Sequence, residues 1–594
     1  TVGTAAALQT DYAVYGSSFV TGRATPATAD DSTWSTAHSP AGNFNFANGT
    51  TGTTLTATRN VNTLLHSGGA ETLTLTGSAN LGTFGILNGG SGVFTIAATG
   101  GGVLTLPTTS AGQLYVTTGS GGITVGAAVT NNTGALSLVK SGTAGNLILN
   151  GVNSYTGDTT VNAGTLQIGT NGVATGAKLG GTTGVYAGRI FLAAGATLHV
   201  QTDAAQTLSG VISGDGNLIK ANVGTLVLSG ANTFTGKTSL TPITTGGSGT
   251  LSVSSFNSVN GGSPLLASSS LGAPTTVANG TIDFGVGSIQ GGGTLAYTGP
   301  GETTDRVINF IFNGNGAGKT LDASGTGPLK FTSTFTASGS VNNDITLQGT
   351  GSGEIVGGLP FAFRNFTKSG TGTWTLGGTV GGTGSVAVSA GRLLVNNAFS
   401  STESGTGTGA VSITATLGGT GQIAPGSANA VTVGSNGTLA PGNGGIGTLT
   451  VNSANTTAVA VLAFTGTGKL LMELGPGLTA DRVRITGAAA GDVSFSNTAV
   501  NFTDLTAGGL TPGVYTLMTA DAAGAYAGLT TNPDGTIATG LTIGTGLTAY
   551  PGSTLSVSGN DIVLNVVPEP GAASLAALAF AGLLSRRRRT RGRP

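Results

Sequence analysis

Leu138-Val139-Lys140-Ser141-Gly142 opens a stretch that continues through Leu147-Ile148-Leu149-Asn150-Gly151 and Asn153-Ser154-Tyr155-Thr156-Gly157. It closes on Thr160-Val161-Asn162-Ala163-Gly164-Thr165-Leu166-Gln167-Ile168. The runs are short and alternate apolar with polar residues. In Thr165-Leu166-Gln167-Ile168 the alternation predicts Leu and Ile on one side, Thr and Gln on the other. That period of two is the mark of a half-buried strand. Threonine is β-branched and suits the wet face of such a strand. Glycine, Asn-Gly and Ser-Gly between the runs supply the corners.

The stretch recurs. A second copy reads Leu218-Ile219-Lys220, Gly224-Thr225-Leu226-Val227-Leu228-Ser229-Gly230, Ala231-Asn232-Thr233-Phe234-Thr235-Gly236 and Thr238-Ser239-Leu240. A more worn third reads Phe366-Thr367-Lys368-Ser369-Gly370, Gly372-Thr373-Trp374-Thr375-Leu376 and Ala390-Gly391-Arg392-Leu393-Leu394-Val395. The tripeptide Gly-Thr-Leu begins at residues 164, 224, 249, 293, 437 and 447. So many short strands do not fit one open sheet. A chain that lays one short strand per side, turn upon turn, satisfies all of them, with the inward residues stacked into a continuous core. The expected core positions are Leu147, Leu149, Leu166, Ile168, Leu226, Leu228, Trp374 and Leu376. Tyr155 and Phe234 hold equivalent places and read as packing residues.

Composition agrees. Of 594 residues 108 are Gly and 18 are Pro, which argues against helical bundles and coiled coils. Glycine lacks the strict third-residue period of collagen. The absence of Cys excludes disulfides and thiolate-bound zinc. With 38% hydrophobic and only 7% charged residues the chain is not of disordered type. Its formal net charge of zero gives no reason to expect nucleic acid as a partner.

On the motifs quoted above, the chain resembles the autotransporter-associated β-strand repeat, whose pattern runs Lys-x-Gly, Gly-Thr-Leu-x-Leu-x-Gly, Asn-x-Tyr-Thr-Gly and Val-Asn-Ala-Gly-Thr-Leu. Residues 138–168 match nearly throughout, 218–240 match with Phe234 in place of Tyr, and 365–395 match with the Asn-x-Tyr-Thr-Gly segment lost. The resemblance implies a right-handed parallel β-helix (β-solenoid) of the passenger type. Such passengers are followed by a C-terminal β-barrel. The last hundred residues here read as short strands, so the expectation is export by other machinery. Residues 1–100 are expected to hold an N-terminal cap and the first turns, with Thr33-Trp34 and Asn43–Phe46 in the cap. The solenoid would span 101–486, and capping strands 487–566.

The final segment, 567–594, has another character. Val567-Pro568-Glu569-Pro570 precedes the uncharged run Gly571–Leu584 and then Arg586, Arg587, Arg588, Arg589, Arg591 and Arg593. As a helix the run spans roughly 21 Å, short of a bilayer core of about 30 Å. With its basic flank it reads as a short apolar helix and a transient inner-membrane anchor. The order of parts resembles the PEP-CTERM sorting signal of Gram-negative bacteria. That resemblance implies an exported protein cut near Pro568-Glu569-Pro570 by an exosortase-type membrane protease, associated with extracellular polysaccharide and biofilm. Without the six arginines the body carries 16 basic and 22 acidic residues, a net of about −6.

Little chemistry is visible. His38, His66 and His199 read as surface residues. Most carboxylates sit singly in turns, as in Gly157-Asp158, Gly214-Asp215-Gly216 and Pro533-Asp534-Gly535; Asp30-Asp31 is an adjacent pair. Asn313–Thr320 imitates a phosphate loop but has Asn where the first Gly belongs and no helix to follow. No catalytic residue, metal site or cofactor is expected. The reading is a non-enzymatic, structural or adhesive protein of the cell surface or biofilm matrix, with polysaccharide or the cell surface as partner. Two alternatives stay open. One is a polysaccharide lyase or glycoside hydrolase on the same scaffold, which usually needs paired carboxylates. The other is a calcium-dependent adhesin.

Overall fold

The computed structural model describes residues 53–567 apart from 171–175, 242–248, 260–264, 286–291, 313–315, 340–342, 399–402, 443 and 455–459. It also describes four short strands at Ala13–Tyr15, Val20–Gly22, Ala27–Thr28 and Asn43–Phe46. The chain forms two compact units, residues 1–353 and 354–594. Both are built from parallel strands wound turn upon turn, the parallel β-helix the alternation predicts. Among the described residues α-helix is confined to the four residues Val277–Gly280.

In the first unit, three sheets take one strand from successive turns. The first runs from Ala27–Thr28 through Asn43–Phe46, Arg59–His66, Leu81–Asn88, Gly112–Thr118, Leu136–Ser141, Thr159–Val161 and Ile190–Leu192 to Ile212–Gly214. Asn43–Phe46, expected in a cap, is thus a strand of this sheet. The second includes Glu71–Gly77, Phe94–Gly100, Ile123–Val125, Asn146–Leu149, Thr165–Ile168, Thr197–Val200 and Asn217–Lys220. The third includes Gln206–Leu208, Thr225–Leu228, Thr250–Val253 and Thr294–Tyr297. Leu147 pairs with Leu166, so one turn takes 19 residues there.

All six Gly-Thr-Leu tripeptides share a strand start, though Gly164 and Gly249 have positive φ and Gly224, Gly437 and Gly447 do not. Each begins a strand at its Thr, and the following Leu (166, 226, 251, 295, 439, 449) is buried. The glycine makes the corner. Gly164 has φ of +68°, and a Cβ on it would stand 2.5 Å from the carbonyl oxygen of Gly142 in the turn before. No other residue fits that pairing of backbone angle and close approach. Leu147, Leu149, Leu226, Leu228, Ile168, Trp374 and Leu376 are likewise buried, each side chain worth about 1.5–3 kcal/mol of transfer free energy.

The second unit repeats the plan. One sheet carries Asn365–Lys368, Ser385–Val388, Val411–Ile413, Val431–Val433 and Leu462–Phe464. Another carries Thr373–Leu376, Arg392–Val395, Thr416–Gly419, Thr438–Pro441 and Lys469–Leu474. Near its C-terminal end the pairing changes sense: Asp561–Val566 lies antiparallel between Gly513–Ala520 and Thr554–Ser558.

The repeat copies do not keep to one face. Copy one uses the first and second sheets for Leu136–Ser141 and Asn146–Leu149. Copy two uses the second and third for Asn217–Lys220 and Thr225–Leu228. The motif is therefore a strand–corner–strand module that fits more than one pair of sheets.

Candidate functional site

Each copy places a lysine inside. Lys140, Lys220 and Lys368 follow an inward Leu138, Leu218 or Phe366 by two residues, so strand phase turns them inward as well. All three have 0% exposure. Lys140 Nζ donates to the carbonyl oxygens of Ser141, Gly142 and Ala163 at 2.9, 2.8 and 3.1 Å. Lys368 Nζ donates to Ser369, Gly370 and Ala390 at 2.7, 2.8 and 3.0 Å. Lys220 Nζ donates to Ala221 and Asn222 at 2.5 and 2.6 Å. Each ammonium thus ties a glycine-bearing corner, and Lys140 and Lys368 also reach the next turn. Burial pulls Lys140 and Lys368 down to about 8 and Lys220 to about 7. Three carbonyls match the three N–H groups of the ammonium, whereas a neutral amine has only two.

The motif's asparagine and aromatic are internal too. Asn153 Oδ1 accepts from Val129 N at 3.0 Å, and its Nδ2 donates to Gly151 O and Lys178 O at 2.7 and 3.1 Å. Asn232 accepts from Ile212 N at 2.7 Å and donates to Ser270 O at 2.7 Å. One amide side chain therefore joins neighbouring turns where the main chain bends. The Tyr155 hydroxyl lies 2.8 Å from Thr159 Oγ1, and its ring meets Tyr186 edge-on at 5.4 Å.

Histidine departs from expectation. His66 is fully buried rather than on the surface, because it ends an inward run of the first sheet. Its Nδ1 lies 2.8 Å from Asn88 Oδ1, and its Nε2 lies 3.3 Å from a carboxylate oxygen of Glu71, five residues downstream. His199 is part-buried, and burial beside Lys220 lowers it to about 4. His38 lies outside the described residues. Gln167, expected on the wet side, is 6% exposed and donates to Gly169 O at 2.7 Å.

The carboxylates mostly serve turns. Asp158 accepts from Arg189 N at 2.9 Å, Asp215 from Thr235 Oγ1 at 2.6 Å, and Asp534 from Thr536 N at 3.0 Å. Asp481 is buried, and desolvation raises it to about 7. Its two oxygens accept from Gly447 N and Glu473 N, both at 2.8 Å, so it fastens backbone and faces no open groove. Arg306 is also buried; its guanidinium donates to the carbonyls of Gly280, Phe256 and Leu271 at 2.5, 2.9 and 3.2 Å. Among the described residues no three His, Asp or Glu side chains are grouped to hold a metal ion. Residues 316–320 of the phosphate-loop lookalike lie in the strand Gly316–Ala323.

What faces water is chiefly hydroxyl and amide. On the second sheet Thr72, Thr95 and Thr124 are in register, as are Asn146, Thr165, Thr197 and Asn217 two residues over. Further along, Asn309 donates to Asp283 at 2.9 Å and accepts from Thr336 at 3.0 Å, while Lys237 meets Asp283 at 2.6 Å. A depression of about 280 Å³ lies on this sheet around the strands Ile123–Val125 and Asn146–Leu149, bordered by Val93, Ser120, Thr124, Asn146 and Ile148. Such rows recur every turn, at about 4.8 Å.

Pro568, Glu569, Pro570 and the arginines at 586, 587, 588, 589, 591 and 593 lie outside the described residues; Val567 is the last described and is exposed. Among the described residues no helix is long and apolar enough to cross a membrane.

The passenger-associated-transport-repeat family matches residues 138–168, 218–241 and 366–395. The chain is also similar to the Adhesin BmaC autotransporter of Brucella suis biovar 1 (strain 1330), at 32% identity over 297 residues. That match takes in 43% of this chain and 8% of the relative, so the chain corresponds to a small part of that protein.

Proposed function

We propose that this chain is a surface-exposed adhesive β-helix, exported to the cell surface or biofilm matrix and acting without catalysis. Polysaccharide or another surface is its partner, held by many weak hydrogen bonds. The observation that supports this most directly is the outward geometry: hydroxyl and amide rows repeated turn after turn, above a core that keeps the repeat lysines Lys140, Lys220 and Lys368, His66 and Asp481 inside. The passenger-type repeats and the relative named as an adhesin point the same way. The test is attachment: cells lacking the protein are expected to lose binding to polysaccharide-coated surfaces and regain it with purified chain. Unchanged attachment, or release of reducing ends from the glycan by the purified chain, would sink the reading.

The C-terminal segment has a separate role in this proposal. Val567-Pro568-Glu569-Pro570, the apolar run and the arginines form a sorting signal that anchors the chain in the inner membrane until an exosortase-type protease cuts it. Intact-mass analysis of exported protein is the check. Material that still carries Arg586–Arg589 would refute the sorting step and leave the adhesive reading untouched.

A further inference from the structure

Residues 254–281 stand outside the ladders that pass beside them. On the third sheet Thr250 pairs with Thr225 in one neighbouring turn and Thr294 in the other. On the second, Ile282 pairs with Thr238 and Ile308. Both ladders therefore run on without residues 254–281. The segment fills the remaining side, next to the strand Pro300–Thr304 of the following turn. That strand is the first of its sheet, and among the described residues no strand pairs with its other edge. Side chains make the junction instead. The Glu302 carboxylate accepts from Phe256 N and Asn257 N at 2.7 and 2.5 Å, and Asp305 accepts from Val259 N at 2.6 Å. Thr304 Oγ1 donates to Asn257 O at 2.6 Å. Arg306 ties Phe256 O on the outgoing leg to Leu271 O and Gly280 O on the returning one. The legs also meet directly. Ser270 Oγ accepts from Ser254 N and Ser255 N at 2.9 and 2.7 Å, and a Cβ on Gly280 would stand 2.3 Å from the Val259 side chain. Toward the preceding turn the returning leg is held by a short bridge between Asn232 and Ser269 and by Ala273 N donating to Phe234 O at 2.9 Å.

We propose that the legs Ser254–Val259 and Ser269–Gly280 form a strap that opens as one unit while the ladders on either side stay closed, with Arg306 as the positioning residue that couples the legs. Opening breaks side-chain bonds and the short bridge to Asn232, and it withdraws the Phe256 ring from Tyr297 and Phe331, 5.9 and 5.5 Å away. It breaks no ladder bond of the second or third sheet, and each turn of a solenoid is held chiefly by its neighbours, so the cost stays local. The buried guanidinium makes the legs leave together. If one leg left alone, donors of Arg306 would lose their carbonyls in a site with 1% exposure. What the strap covers gives it a role. An unpaired strand edge is a template for another chain, and Pro300–Thr304 would present one in mid-chain. The strap is a guard over the place where a new sheet begins.

The experiment is native-state hydrogen exchange of the full chain, followed by mass spectrometry across a series of low urea concentrations. Peptides from the two legs are expected to exchange together, at least roughly tenfold faster than those covering Thr250–Val253, Ile282–Phe284 and Thr294–Tyr297, and with little dependence on urea. Arg306→Met should speed both legs at least roughly tenfold further and leave the three strands at parental rates. Glu302→Gln, which keeps one acceptor oxygen, should act in the same direction more weakly. It replaces Arg306→Met as the deciding variant if the latter lowers the melting of the whole chain by circular dichroism. Legs that exchange at the strands' rates with the strands' urea dependence overturn the strap, because they then open only with the turns beside them. Legs that respond separately to the deciding variant overturn the coupling through Arg306. Strands that accelerate as much as the legs in Glu302→Gln refute the local opening.

Discussion

Residues 138–168 and 366–395 carry the same motif and solve its tightest corner differently. In the first copy Asn153 joins neighbouring turns through its amide, and Tyr155 fills the bend. Equal spacing from the preceding buried Leu puts Val380 and Gly382 at those places in the third copy. There the main chain substitutes for the amide. Leu359 and Val380 form a parallel bridge, Leu359 N donates to Thr379 O at 2.9 Å, and Val380 N to Ser404 O at 2.9 Å. The aromatic comes from the turn before: a Cβ on Gly382 would stand 2.1 Å from the Phe363 ring, which is buried beside Phe366 at 5.7 Å. What the corner requires is a bonded backbone and a filled volume. Which residue supplies each is free.

The largest effect should come from emptying that volume. Tyr155→Ala in the first unit and Phe363→Ala in the second are each expected to cost about 3–5 kcal/mol in urea-unfolding experiments. A loss below 1 kcal/mol at Phe363 would show that its ring does not stand in for the missing tyrosine. Gly382→Phe added to Phe363→Ala moves the ring back to the motif's own position and should recover part of the loss.

Exchanging the amide comes next. Asn153→Val strands the amide hydrogen of Val129, and Val380→Asn buries an amide where main chain already holds the corner. Each should destabilise by about 1–3 kcal/mol. Hydrogen exchange at Val129 is the local readout; protection that survives Asn153→Val would break the contrast between the copies.

The lysines are where the copies agree. Lys140→Met and Lys368→Met should cost similar amounts, about 1–3 kcal/mol each, because both leave three carbonyl oxygens without a donor. A difference of more than about 1 kcal/mol between them would mean that the corners differ in more than Asn153 and Tyr155.

The smallest effect is in pH. Burial lowers the folded pKa of Lys140 and Lys368 to about 8, below the ordinary lysine value near 10.4. Between about pH 8 and 10 the unfolded chain therefore holds more protons than the folded one, and stability should rise with pH. Above about pH 10 the buried Tyr155, pushed up to about 12, reverses the slope, since the unfolded phenol ionises first. Melting temperatures at pH 7.5, 8.5 and 9.5 test this, and the lysine-to-methionine variants should flatten the rise.

Much of this architecture was legible as alternation. Gly-Thr-Leu specifies corner, wet residue and core residue in three letters, and all six occurrences obey it. The lysines were readable by phase, two residues beyond an inward apolar side chain, but their charge argues for the surface until the carbonyls that surround them are known. Glu71 stands near enough to His66 in sequence to have suggested their pairing. Phe363 could not be anticipated, because its role depends on a glycine 19 residues away that it meets only across turns.

A motif that fits the first and second sheets in one copy, and the second and third in another, has a consequence for how such a chain changes over generations. A duplicated or deleted segment of about one turn need not return to its original face to be accommodated; it needs only corners that close. Length then becomes something the lineage can adjust by copying errors, with point mutation left to refine each new corner afterwards. The worn third copy, its amide gone and its ring borrowed from a neighbour, is what such a corner would look like late in that refinement.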